Sequence, residues 1–180
     1  MGRTIFIAGI YGTGKSTLCS KLSDKMQIPF FSAGDLISES NGEIYGATKA
    51  VADKEINQMI LAKKVQKLLQ AHDHIFLAGH FCIFNSATEV DVLPDSIFQN
   101  LNIEQIVLLE AEVHTVIKHL KSRDNKIYHH EDIAQLMMAE RGQGTKIAKE
   151  LDCQLSIYKM TFSEEDTDNV IAAIAQGGFS

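Results

Sequence analysis

The chain has 180 residues, 45% apolar and 22% charged, with two prolines and a net charge of −6. That length suits one domain with a layered core, and the composition is that of an ordinary soluble globular protein. No run approaches the roughly 20 apolar residues of a membrane helix, and an acidic chain is a poor match for a dedicated nucleic-acid binder, which needs a basic face.

The first apolar run, Thr4 to Ile10, leads straight into a glycine-rich loop rather than to a cleavage site, so a cytoplasmic protein is expected. Cys19, Cys82 and Cys153 have neither paired nor metal-type spacing and read as reduced thiols.

Strand-like and helix-like segments alternate along the chain. Thr4 to Ala8 is a continuous run of the kind found in a strand covered on both faces. A helix is expected from about Lys15 to Met26, then a strand at Ile28 to Phe31 and a turn at Ser32-Ala33-Gly34-Asp35 leading into a short helix. The longest helical pattern runs from about Ala47 to Ala71, with Leu61, Val65, Leu68 and Leu69 on one stripe. Ile75 to Ala78 reads as a third strand, and Pro94 opens a helix reaching Leu101. Ile106 to Leu109 is a fourth strand, followed by a helix carrying Val113, Val116, Ile117 and Leu120. The polar stretch Lys121 to His130 precedes another helix near Glu131; Leu155 to Tyr158 is a fifth strand, and Val170, Ile171 and Ile174 mark a closing helix. This order predicts an α/β protein: a five-stranded parallel sheet in a three-layer α/β/α sandwich, one domain over residues 1–180.

Gly9-Ile10-Tyr11-Gly12-Thr13-Gly14-Lys15-Ser16-Thr17 fits G-x-x-x-x-G-K-[ST] at every fixed position. Glycines let the backbone take positive φ and bring N–H groups close to phosphate oxygens. The helix that begins at Lys15 aims its positive dipole end at the same anion. Gly9, Tyr11, Gly12, Thr13, Gly14, Lys15, Ser16 and Thr17 are therefore the candidate binding residues for ATP or a related nucleoside triphosphate. Lys15 would bridge the β- and γ-phosphates, and the Ser16 hydroxyl would ligate Mg²⁺. The loop follows an apolar strand and opens an amphipathic helix, which is the P-loop NTPase context. No N-K-x-D guanine motif is present, and a chain this short lacks the lid domain of an AAA machine. Small nucleotide and metabolite kinases remain.

With those residues in place, the chain resembles archaeal-type adenylate kinases and the related nuclear adenylate kinase-like proteins over nearly its whole length. Ser32-Ala33-Gly34-Asp35-Leu36 is similar to that family's S-x-G-D-L segment, and Ala78-Gly79-His80 stands at its D-x-H segment. Leu93-Pro94 resembles the segment that follows. The resemblance implies an acceptor-side helical region at about 32–72 and a lid-like segment at about 121–131, with Arg123 in the lid and Arg141 on its exit helix. It also carries departures. Ala78 stands where the family has an Asp on the Mg²⁺ side, Ser38 where it has an arginine for the AMP phosphate, and Phe81 and Cys82 where a second such arginine is expected. Without those forked donors, bidentate recognition of an acceptor phosphate is weakened.

The resulting expectation is a phosphotransferase moving the γ-phosphoryl of MgATP to a nucleotide or other small acceptor. Lys15, Arg123, Arg141, Asp35 and His80 are its catalytic candidates, and Gly34, Asp35 and His80 face the acceptor. Each has a plainer reading: Asp35 as a helix cap, His80 as a structural histidine, and both arginines as surface charge. His80, with a pKa near neutrality, would suit polarising a water or an acceptor group. Lys121, Lys126 and the lysines of the long helix read as solvated, with Lys49 or Lys54 as the candidates to border the acceptor pocket. His129-His130-Glu131-Asp132 reads as a helix start rather than a metal site. The other reading of the whole chain is an ATP-binding or ATPase assembly factor with a protein partner.

Overall fold

The computed structural model describes residues 1–41, 52–85, 89–124 and 126–177. Strand β1 (Arg3–Ala8) runs into the glycine loop and α1 (Lys15–Met26); β2 (Phe30–Ser32), α2 (Ala33–Asn41), α3 (Ala52–Ala71) and β3 (His74–Ala78) follow. A hairpin of β4 (Cys82–Phe84) and β5 (Val90–Val92) precedes α4 (Asp95–Gln99) and β6 (Ile103–Glu110). The chain continues through α5 (Val113–Asp124), α6 (His130–Glu150), β7 (Gln154–Lys159) and α7 (Glu165–Gln176).

The main sheet has the order β2-β3-β1-β6-β7, with every neighbouring pair parallel. The apolar runs explain the order. Residues 4–8, 75–78 and 105–109 are buried throughout, so β1, β3 and β6 occupy the centre, while β2 and β7 are only partly covered. With right-handed crossovers, the leftward step from β1 to β2 puts α1 on one face, where it packs against α7. The rightward steps put α3, α5 and α6 on the other. The expected α/β fold is present, and the carboxyl ends of β1, β3 and β6 converge on the glycine loop.

Several local expectations change. The second strand is Phe30–Ser32, and helix α2 begins directly at Ala33, so the turn expected at Ser32–Asp35 is absent. Pro94 is the N-cap of α4 rather than its first turn, and α4 stops at Gln99. The polar stretch is largely helical: α5 continues to Asp124, with Lys121 and Arg123 in its last turn, where cations favour the helix dipole. Among the described residues only 126–129 are irregular between α5 and α6, so the lid-like segment of 121–131 is a short link. The β4–β5 hairpin was not expected, because three-residue strands are too short to show alternation. It is fixed by pairing of Cys82 with Val92 and Phe84 with Val90, and by the Glu89 N–H donating to Asn85 Oδ1 at 3.0 Å. The first part of the long helical pattern, with Lys49, lies outside the described residues.

Candidate functional site: the phosphate loop and its cavity

The loop is a backbone trap that only glycine can build at its ends. Gly9 has φ +146°, and a Cβ there would meet the Leu109 carbonyl at 2.6 Å and Thr13 Oγ1 at 3.0 Å. Gly14, at φ +83°, is the N-cap of α1, and a Cβ there would press on the Phe162 ring at 3.2 Å. Thr13 is fully buried and its hydroxyl donates to the Ile10 carbonyl at 2.8 Å, closing the loop on itself. Lys15 folds back over the loop, its Nζ donating to the carbonyls of Gly9 at 2.6 Å and Ile10 at 2.9 Å. Burial pulls its pKa down to about 8, against the opposing pull of Glu140. Ser16 and Thr17, in the first turn of α1, are exposed.

The loop forms one end of a cavity of about 600 Å³. Tyr11, Gly12, Gly14, Lys15, Ser16 and Thr17 line it from the loop and α1, Gly34 from α2, His80 from the end of β3, and Arg123 from α5. Nine of the sequence-derived candidates are thus brought together. Gly9 is close, but its N–H is already taken by Glu140 Oε1 at 3.0 Å and is not free for a phosphate.

Asp35 and Arg141 are not brought to the cavity wall. Asp35 is exposed, and its N–H points to Ser32 Oγ at 3.4 Å, so Ser32 takes the capping position that the plainer reading gave to Asp35. Arg141 is turned to the end of β6, where Glu110 holds its Nε at 2.6 Å and also its Nη2.

Sequence relatives give the family. A family model described as an AAA domain matches residues 8–137. The cytidylate kinase of Sulfolobus acidocaldarius is 30% identical over 142 residues, covering 76% of this chain and 70% of that one. The chain belongs to the P-loop nucleotide kinases of this AAA-domain family. Among solved structures, a gluconokinase from Sinorhizobium meliloti superposes with a TM-score of 0.61 at 12% identity, covering 97% of this chain and 92% of that one. A shikimate kinase from Bacteroides thetaiotaomicron gives 0.59 at 15% identity, covering 97% and 96%. These two likenesses establish the fold alone. Together with the sequence relatives they place the chain among kinase-like phosphotransferases.

His80 of this P-loop kinase is not the near-neutral titrating group that the sequence suggested. Its ring lies 4.6 Å from that of Tyr11, and its buried Nδ1 has no hydrogen-bond partner among the described residues. Burial first, and then the charge of Lys15, push its pKa down to about 3. The imidazole is therefore neutral at physiological pH and works as a shaped polar wall. This depression has a stability consequence. The unfolded chain takes up a proton at the ordinary histidine value of 6.5 and the folded one does not until about 3. Stability is thus present above pH 6.5 and lost as pH falls through that window, by about 2 kcal/mol at pH 5. His80→Asn is expected to remove this component, narrowing the drop in melting temperature between pH 7 and pH 5. An unchanged drop would show that His80 does not titrate in this way.

Three further features of the kinase escaped the sequence. Beside Gly14 and Thr17 lies a second recess of about 330 Å³, walled by Lys21, His119 and Phe162. The His119 and Phe162 rings meet edge-to-face at 4.6 Å, and His119 Nδ1 lies 3.0 Å from the Gly12 carbonyl. The loop that carries Phe162, at φ +61°, is held by the buried Asp166 carboxylate. Asp166 accepts from the Tyr158 hydroxyl at 2.8 Å, the Thr161 hydroxyl at 2.7 Å and the Phe162 N–H at 2.6 Å. The third feature is Glu140, 1% exposed on α6. A signal for it existed: it interrupts the buried stripe formed by Ile133, Leu136 and Ile147.

Proposed function

We propose that the protein transfers the γ-phosphoryl group of MgATP to a small acceptor held in the 600 Å³ cavity. The observation that carries this reading is the convergence of Lys15, Ser16 and Arg123 on one cavity at the mouth of a glycine loop. The loop amides and Lys15 hold the β- and γ-phosphates. The base lies in the recess between His119, Phe162 and Gly14. Arg123 faces the transferring group, whose negative charge spreads over equatorial oxygens.

Mg²⁺ suits this donor set in a limited way. Ser16 offers a hydroxyl beside the loop, and Mg²⁺ is usually held by phosphates and waters with one or two protein oxygens. Ala78 gives no carboxylate at the end of β3, and no Asp or Glu lines the cavity among the described residues. Ser16 is then the protein ligand, and the ion would neutralise phosphate charge.

On the acceptor side the cavity is walled by Ile37, Leu61, Ile83 and Ile97 with the amides Asn57 and Gln58. Among the described lining residues, the lysine and arginine side chains, Lys15 and Arg123, sit at the donor end. That distribution favours an acceptor recognised by an apolar face and neutral hydrogen bonds over one gripped by its own phosphate. It also supports a second reading, an ATPase or assembly factor in which water replaces the acceptor.

The test is turnover of MgATP with CMP, AMP, nucleosides, sugars and hydroxy acids, with products identified directly and Lys15→Met as the blank. Consumption of ATP together with one phosphorylated acceptor supports transfer. Steady ADP release with no phosphorylated product selects the ATPase reading. Turnover no greater than the Lys15→Met blank under every condition sinks both.

A further inference from the structure

Glu140 stands apart from the groups just assigned, since it lines neither the cavity nor the second recess. It is a carboxylate at 1% exposure in the middle of α6. Its Oε1 accepts the Gly9 N–H at 3.0 Å, and its Oε2 accepts the N–H groups of Phe81 at 2.9 Å and Cys82 at 2.6 Å. All three partners are donors, so the ionised carboxylate is the form this pocket satisfies. Burial alone pushes its pKa up, while the three N–H groups and Lys15 act against that push.

The identity of the three donors matters. Gly9 is the first residue of the phosphate loop, held at φ +146° in a close-packed position that a side chain would not fit. Phe81 and Cys82 open the β4–β5 hairpin, whose Ile83 lines the cavity and whose Phe84 ring stacks at 6.4 Å on that of Tyr11 from the loop. The Phe81 carbonyl also accepts the Leu93 N–H at 2.9 Å, so the hairpin closes at the same point. The helix is pressed close here: a Cβ at Gly144 would meet the Phe81 ring at 2.9 Å. A neutral Gln at position 140 has one oxygen and one NH₂ group, and cannot accept from both sides at once. A hydrophobic residue would leave three buried N–H groups without partners.

We propose that Glu140 is a positioning residue that fixes the first residue of the phosphate loop to the start of the acceptor-side hairpin, so that occupation of the loop is transmitted to the hairpin. The proposal rests on the nucleotide-site reading above. Among the described residues, the charged or titratable groups near the bridge include Lys15 and Cys19 from α1, Tyr11 from the loop, His80 next to Phe81, Cys82 and Asp91 from the hairpin and Arg123 from α5. Of these, Cys82 donates to Glu140 through its main-chain N–H.

The experiment is amide NMR and hydrogen exchange on the whole chain, with a non-hydrolysable ATP analogue and Mg²⁺ as the probe. In the wild type, the amides of Gly9, Phe81 and Cys82 are expected to shift together on titration and to gain protection by about tenfold or more. In Glu140→Gln, the Phe81 and Cys82 amides are expected to lose their response while analogue binding weakens by about tenfold. Leu136→Ala, a buried apolar change on the same helix, is the control for general destabilisation, and its hairpin response is expected to persist. Phe81 and Cys82 signals that follow the analogue in Glu140→Gln as they do in the wild type would overturn the proposal. So would a wild type in which Gly9 responds and the hairpin amides do not, a result readable even if the variant does not fold. A wild type that binds no triphosphate at all is a different outcome: it removes the nucleotide-site reading itself, and the bridge with it.

Discussion

Replacing Lys15 with methionine is expected to abolish phosphoryl transfer while raising the melting temperature of the ligand-free protein. The two effects have one cause. Among the described residues the ammonium has the carbonyls of Gly9 and Ile10 as its hydrogen-bond partners, and burial holds its pKa at about 8 against an ordinary lysine value of 10.5. The unfolded chain binds this proton up to the higher value and the folded chain releases it at the lower one. Stability therefore rises with pH between the two, and the full cost of burying the charge is present at pH 7. The shift sets a ceiling of about 3 kcal/mol, reduced to about 1–2 kcal/mol because the side chain keeps some solvent contact. For a chain of this size that corresponds to about 3–6 °C in melting temperature. Methionine fills similar space without the charge. On the proposed function the same ammonium would meet the β- and γ-phosphates, and its loss would remove a charge-assisted contact that strengthens as charge moves in transfer. A decrease of about 10³-fold or more in kcat/KM is expected. Calorimetry on the ligand-free protein and single-turnover kinetics check the two halves separately. A variant that is less stable than the wild type would show that Lys15 is a structural cation here. Retained turnover would remove the loop from the chemistry.

Much of this fold could be read from local pattern. The strands of the sheet centre are continuous apolar runs, and α1 begins at the residue that the loop motif dictates. The loop was legible because its chemistry is backbone chemistry, which requires glycine at fixed intervals. The cavity's other side was much less so. Glu140 is joined to partners 131, 59 and 58 residues away through their main-chain N–H groups, which carry no side-chain identity for a sequence to display. The same holds for Asp166 and the Phe162 loop, where four main-chain and hydroxyl donors converge on one carboxylate. His80 was placed correctly at the end of a strand, but its protonation is set by burial beside Tyr11 and Lys15, a tertiary property. Arg141 and Arg123 looked equivalent in sequence. They separate because Glu110, at the end of β6, captures the first, while a neighbour on the same helix end holds the second facing the cavity.

That difference makes Arg123 the second residue whose removal has a large expected effect. Its Nε and Nη2 donate to Asp124 at 2.5 and 2.7 Å, and Asp124 in turn accepts the Tyr128 hydroxyl at 2.7 Å. Two of the five guanidinium N–H groups are used in this clamp, and among the described residues the others have no hydrogen-bond partner on a planar fork at the cavity wall. A fork held by its own carboxylate does not need to reorganise when charge develops on the transferring group, which is the condition for a strong transition-state contact. Arg123→Ala is therefore expected to lower kcat by about 10²–10³-fold and to change nucleotide affinity by far less. Arg123→Lys keeps the charge and loses the fork, so it should recover little of the loss. Asp124→Asn keeps Arg123 but weakens its clamp, and its effect should fall between wild type and Arg123→Ala. The measurement is a split of KM from kcat for the three variants under single-turnover conditions. If Arg123→Ala raises KM at constant kcat, and Lys restores it, Arg123 binds the nucleotide as a point charge and takes no part in transfer. If all three variants lose kcat in the order expected, the short link between α5 and α6 works through the clamp of Asp124 and Tyr128, with Arg123 already aimed before substrate arrives.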